Sequence, residues 1–328
     1  MRANSPTPLS LDFIRHLTLN PADHPRGQAH LSAASGLVRV RQHLYVVADD
    51  ELHLSVFEDP TTDNAPDTTP GTLVRLLEGE LPHDKSKRKK AKPDLETLAQ
   101  LPPLPGCPAG ALLALGSGSK PQRETGVLVA LDVHGVPNGR MATVDLGPLY
   151  APLHKRFTDL NIEGAFVLSG DLLLLHRGNK GDALSACIRF DWNLIAPWLA
   201  GREPKPPAAK SVQLMDLGAV NGVPLGLTDG TALQGGAWAF SAVAESTDNS
   251  YHDGACVGSA IGIVAPDGTL RHIYPLAGSP KVEGIAAQRA DKESSTPGDT
   301  WVFTLVTDPD DPHTPAHMLQ THMVLASE

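Results

Sequence analysis

Ser35, Glu96, Glu163, Thr228 and Glu283 follow one another at spacings of 61, 67, 65 and 55 residues. Each sits in a short apolar stretch that a tight turn joins to a second, strongly hydrophobic one. The first stretches read Ala34-Ser35-Gly36-Leu37, Leu95-Glu96-Thr97-Leu98-Ala99, Ile162-Glu163-Gly164-Ala165, Leu225-Gly226-Leu227-Thr228 and Val282-Glu283-Gly284-Ile285-Ala286. Thr228 fits this alignment least tightly. Three carboxylates gathered on a narrow axis cannot all stay ionised without a counter-charge, so either their pKa values rise or a cation neutralises them. Ca2+ accepts about six to eight oxygen ligands in flexible geometry, which suits Glu96, Glu163 and Glu283 with Ser35, Thr228, carbonyls and water. Mg2+ asks for a tighter octahedron. The plainer alternative is that each glutamate pairs with a basic neighbour or caps backbone N–H groups. We expect calcium, with those five residues as its ligands.

A repeat at this period is the signature of a radial β-architecture. Short runs rich in β-branched and aromatic residues, separated by turn residues, supply about four strands per unit. The units run over about 32–78, 94–147, 161–218, 224–277 and 282–325. The last is one strand short, and Leu9–Leu19 is the segment that can complete it, which ties the termini together and removes two exposed edges. The expected fold is therefore all-β: one five-bladed propeller domain over residues 1–328, with six blades as the alternative. Leu149–Phe157 and Trp192–Leu199 are expected as short helical connections, with Trp192 and Trp198 packed between blades. Glu58–Gly71, Pro82–Lys92 and Gly201–Lys210 are expected as loops. The second of these carries Lys85, Lys87, Arg88, Lys89, Lys90 and Lys92, a solvated basic run or a means of steering an anion inward.

Strand direction brings further charges to the same mouth. If the first strand of each blade lines the channel and the second runs antiparallel beside it, the start of the first meets the end of the second. Those ends are Asp49-Asp50, Gly116 to Lys120, Arg177 to Lys180, Glu245 to Asp248 and Asp308 to Asp311. Each breaks abruptly from hydrophobic to charged, and Glu163 is expected opposite Arg177. The backbone of Gly116-Ser117-Gly118-Ser119-Lys120 could cradle an anion or simply form a polar turn. It lacks the spacing of a phosphate-binding P-loop.

The formal charge of −10 argues against nucleic acid as a partner, which needs a basic surface. The three cysteines, Cys107, Cys187 and Cys256, form no CxxC pair, and Cys187 reads as a buried, inert thiol. No signal-peptide or membrane-length apolar run is present, which points to a cytoplasmic protein without a membrane partner. No GxSxG surrounds Ser241, so a nucleophile elbow is not expected. Asp308 to Asp311 lacks EF-hand spacing. His252-Asp253 and His313/His317 are possible metal pairs that read more simply as surface residues. Nothing in the sequence specifies an oligomeric state.

The order Ser, Glu, Glu, hydroxyl residue, Glu, one per blade, resembles the axial calcium site of the five-bladed calcium-activated nucleotidases (soluble apyrases). Val47-Ala48-Asp49-Asp50, Leu175-His176-Arg177 and Lys281-Val282-Glu283-Gly284-Ile285 are similar to segments of that family. The LETLA, NIEGA and RGN segments also resemble those of uncharacterised bacterial propellers, and Glu-Gly segments occur in esterase-like and phytase-like ones. The nucleotidase resemblance implies a cation that holds phosphate oxygens and positions an attacking water. It implies that Lys120, Arg123, Arg177 and Asn179 bind a small anionic ligand, and that Asp49, Asp50 or Glu245 orients or deprotonates the water. The leading expectation is thus calcium-dependent hydrolysis of a phosphate ester or anhydride. The alternatives are a non-enzymatic binding or scaffold propeller with a structural calcium, and a metal-dependent esterase or lactonase.

Overall fold

A computed structural model describes residues 7–59, 69–178, 184–246, 254–290 and 299–325. They form five four-stranded antiparallel sheets arranged as the blades of a propeller. The innermost strands are Ala34–Val40, Leu95–Leu101, Ile162–Leu168, Gly226–Ala232 and Val282–Arg289. Each touches the next around the axis, and the last returns to the first. Both faces of these strands meet protein, so burial runs along them with few breaks where a half-exposed strand would alternate.

Between each pair of neighbouring blades lies a hydrophobic seam. Tyr45, Leu98 and Leu112 fill the one between blades 1 and 2, and Phe166, Leu175 and Phe240 the one between blades 3 and 4. Trp198 is buried between blades 2 and 3, and Trp192 packs against the same seam. The ring closes as the repeat implied. Asp12–His16 pairs antiparallel with His317–Leu325 and becomes the outermost strand of blade 5. This closing strand is shorter than Leu9–Leu19.

All five inner strands carry a register shift at one equivalent place. The residues left out of the ladder are Ser35 with Gly36, Glu96, Glu163, Thr228 and Glu283. A bulge of this kind bends the strand and re-aims a side chain. The next position is a glycine in three blades. A Cβ on Gly284 would lie 2.5 Å from the Ser35 carbonyl oxygen, and one on Gly164 would lie 2.8 Å from Asp229 Cα. Neighbouring backbones approach too closely there for a side chain. We expect Gly284→Ala to cost about 1–3 kcal/mol, the usual range for overpacking a tight interior, measured as a lower urea midpoint with an unchanged slope.

Two of the expected helices form, over Gly147–His154 and Trp192–Leu199. Pro82–Lys92, expected as a loop, contains a third over Lys85–Ala91. Its stop and start signals are local: Asp84 accepts the Lys87 N–H at 2.8 Å, and Arg88, Lys89 and Lys90 lie at the C-terminal, dipole-favoured end. Arg88 anchors it through Asp50, 2.9 Å away. The basic run is therefore a structured lip. No helix among the described residues is long and apolar enough to cross a membrane.

Candidate functional site

Four of the five bulges and the ends of the five second strands open into one cavity of about 720 Å³ at a single end of the propeller. Its inner wall carries the carboxylates of Asp49, Asp94, Glu96, Glu163, Glu245, Glu283, Asp308 and Asp310. The basic side chains among them are Lys92, Arg123, Arg177 and Lys281. The wall is acidic beyond what these four can neutralise. The helical lip adds Lys85 and Lys89, and Lys120 stands exposed beside it.

Two groups of charges divide the wall. On blades 1 and 2, ligand oxygens of Asp49, Asp94 and Glu96 all lie within 4.8 Å of one another. The Lys92 ammonium bonds Asp49 and reaches Asp94 at 2.8 Å, and Arg123 meets Asp94 at 2.7 Å. Glu96 has neither a hydrogen bond nor a salt bridge among the described residues. Burial, with the neighbouring Asp94, Glu163 and Asp49 charges, pushes its carboxyl well above the ordinary range.

On blades 3 to 5, Arg177 donates to Glu245 at 2.7 Å and stands 3.8 and 3.9 Å from Glu163 and Glu283. Lys281 lies within 2.8 to 3.5 Å of Asp310, Glu245, Asp308 and Glu283. Burial works against the charge on both cations, and the surrounding carboxylates outweigh it, so both are held above their ordinary pKa. The carboxylates are pushed up in turn, first by burial: Glu163 to about 8, and Glu283 and Asp308 to about 7. One Glu283 oxygen, Oε2, is buried without a hydrogen-bond partner.

A sequence pattern described as "Family of unknown function (DUF6910)" matches residues 88–312. The chain belongs to the DUF6910 family. The match takes in the inner strands of blades 2 to 5 and both charge groups except Asp49. No curated protein matches the sequence. Among solved structures, the tail fibre of Staphylococcus aureus phage P68 aligns at 10% identity over 97% of this chain and 53% of its own, with a TM-score of 0.46. The chain thus spans about half the length of that fibre. The quinohemoprotein alcohol dehydrogenase of Comamonas testosteroni aligns at 10% identity over 90% and 43%, with a TM-score of 0.35. AztD of Citrobacter koseri, in its apo form, aligns at 8% identity over 88% and 75%, with a TM-score of 0.24.

In this DUF6910 chain the expected site residues are gathered unequally. Ser35, Asp49, Asp50, Glu96, Lys120, Arg123, Glu163, Arg177, Glu245 and Glu283 all line the cavity. Thr228 does not, although it occupies the equivalent bulge. Its hydroxyl donates to the Val282 carbonyl at 2.9 Å and meets Ser241 Oγ at 2.8 Å. Asn179, Lys180 and the pair His252-Asp253 lie outside the described residues. Five of the residues expected to bind an anion or handle a proton are already held in ion pairs: Asp49 with Lys92, Asp50 with Arg88, Glu245 with Arg177, and Arg123 with Asp94. The turn after Gly116 is closed as well. Ser117 donates to Asp94, the Gly118 N–H to the Arg123 carbonyl, and the Ser119 N–H to Ser117 Oγ. Those N–H groups serve the turn and form no anion cradle.

Four participants escaped the sequence reading. Asp94, Asn161 and Lys281 stand two residues before Glu96, Glu163 and Glu283, and Asn161 donates to the Glu163 carboxylate. The signal was present as a polar residue at i−2, since alternate residues of a strand share a face. The fourth is Asp229, fully buried where three other blades have glycine. It accepts N–H groups from Gly230 at 2.7 Å, Ile285 at 3.1 Å and Leu37 at 3.5 Å, joining blades 4, 5 and 1 below the cavity. Burial pushes its carboxyl up against the pull of those donors.

Proposed function

We propose that this DUF6910 propeller binds a divalent cation, calcium by the chemistry of its donors, in the axial cavity through Asp49, Asp94 and Glu96. The observation that carries this reading is the mutual approach of their oxygens, all within 4.8 Å. Two ligands on opposite sides of one Ca2+, each at about 2.3–2.6 Å, stand at most roughly 5 Å apart. Glu96 forms no salt bridge among the described residues, although the nearby Lys92 charge draws its carboxyl down. Lys92, which bonds Asp49 and Asp94, would withdraw to the adjoining lip as the metal enters. Arg177, Arg123, Asp49 and Glu245 are each already held in an ion pair, which favours a binding role over a catalytic one.

One feature favours calcium-dependent hydrolysis of a phosphate ester or anhydride as a second reading. Lys85 and Lys89 of the lip line the same cavity as the carboxylates, so a metal on the carboxylates and a phosphate on the lysines would share it.

Calorimetric titration of the chelator-treated protein tests the first reading. Calcium should bind at one site, magnesium at least tenfold more weakly, and Glu96→Gln should weaken calcium at least tenfold. Wild-type calcium affinity in Glu96→Gln would sink it. Phosphate release from nucleotides and sugar phosphates, with calcium and with chelator, tests the second. Absence of turnover with calcium bound removes hydrolysis and leaves the binding site standing.

A further inference from the structure

The closing strand Asp12–His16 places His16 directly opposite His317 of the last strand. Directly opposed residues of an antiparallel pair project from the same face. The two ring centres lie 5.0 Å apart with an interplanar angle of 57°. Two imidazoles sharing one tetrahedral zinc at about 2.0–2.1 Å per Zn–N bond hold their ring centres roughly 5 Å apart, neither stacked nor splayed. Neither imidazole has a hydrogen-bond partner among the described residues, so a ring nitrogen on each is open for ligation. Phe13 walls one side, its ring 4.9 Å from His16 and 5.4 Å from His317 at steep angles. Sequence proximity suggested His313 as the partner of His317, whereas the ring contact is with His16.

We propose that His16 and His317 bind a borderline first-row divalent cation, zinc foremost, across the seam where the N-terminal strand closes the propeller. Imidazole pairs select zinc, nickel or copper over calcium and magnesium, so this site is chemically distinct from the carboxylate cavity. Water completes the coordination. The strand it would hold is five residues long and paired on one edge only. A shared metal therefore joins Asp12–His16 to His317–Leu325, and stabilises the closed ring by an amount that grows with the logarithm of free zinc above its Kd.

Thermal melting and calorimetry of the chelator-treated full chain, titrated with zinc chloride, test this. The wild type should bind one zinc at the seam and melt about 2–4 °C higher at saturation. His16→Ala and His317→Ala should each lose the rise and weaken zinc at least tenfold, while His313→Ala keeps both. His16→Phe retains a ring against Phe13 and should also lose zinc, which separates ligation from packing. With copper as probe, the electron paramagnetic resonance spectrum should show coupling to two nitrogens, reduced to one in His16→Phe. Zinc affinity and melting shift unchanged in His16→Phe or His317→Ala, or no zinc binding by the wild type, would overturn the proposal.

Discussion

Arg177→Met should lower the unfolding free energy by about 3–5 kcal/mol, the cost of breaking a buried ion pair from one side. Arg177 bonds Glu245 at 2.7 Å and is the nearest cation to Glu163, 3.8 Å away, with Glu283 at 3.9 Å. Methionine keeps most of the stem's volume, and that stem is packed: a Cβ on Gly226 would lie 2.9 Å from Arg177 Cγ. What the substitution removes is charge. The three carboxylates left behind can recover part of the loss by taking up protons, so the deficit should shrink as pH falls from 8 to 6. Arg177→Lys should restore only part, because it loses the planar fork whose Nη2 faces Glu245 while its Nη1 faces Glu163 and Glu283. Urea denaturation at both pH values measures each quantity. A loss under about 1 kcal/mol at pH 8 would show that Arg177 is not the counter-charge of the axial glutamates. Calcium binding by Arg177→Met is a separate readout, because the proposed ligands lie on blades 1 and 2.

The blade count and the axial positions were legible because a radial fold repeats its constraints. Every inner strand carries a bulge at one place, and in four of the five blades the residue in that bulge lines the mouth. Ser35, Glu96, Glu163 and Glu283 therefore align in the sequence itself. The fate of each side chain depended on neighbours far away in sequence. Thr228 shares the bulge yet turns to Val282 and Ser241, because the adjacent strand offers a carbonyl within reach. Lys92 ends a basic run and Lys281 opens the segment before Glu283, and only the folded strands bring acids from two blades around each ammonium. The basic run before Lys92 has little helical pattern, and its helix depends on the Asp84 cap and on Arg88 reaching Asp50 in another blade. Asp229 was the subtlest case: glycine is its counterpart in three blades, and only the closeness of those backbones explains why a carboxylate there can collect N–H groups from three strands.

Stripped of divalent cations, the protein should be more stable at pH 5.5 than at pH 8, and calcium should reverse that order. Glu163 is held up to about 8, and Glu283 and Asp308 to about 7, whereas free glutamate and aspartate titrate near about 4 in an unfolded chain. Between about pH 4.5 and 8 the native state therefore binds more protons than the unfolded state, so stability falls as pH rises through that window. Each pKa unit corresponds to about 1.4 kcal/mol, but the three groups share Arg177 and Lys281, and their contributions do not add. A net loss of about 2–4 kcal/mol between pH 5.5 and 8 is expected. Calcium works in the opposite direction, because a carboxylate must be ionised to serve as a ligand, so its affinity climbs with pH and its binding releases protons. Glu96, pushed well above its ordinary range, is the group from which that proton should come. Calorimetry at pH 7 in buffers of different ionisation enthalpy should show about one proton released per calcium, falling towards zero in Glu96→Gln. Urea midpoints at both pH values, with chelator and with saturating calcium, complete the test. A chelated protein more stable at pH 8 would mean that the native state does not hold these carboxylates above their unfolded pKa, and the expected pH order would be overturned.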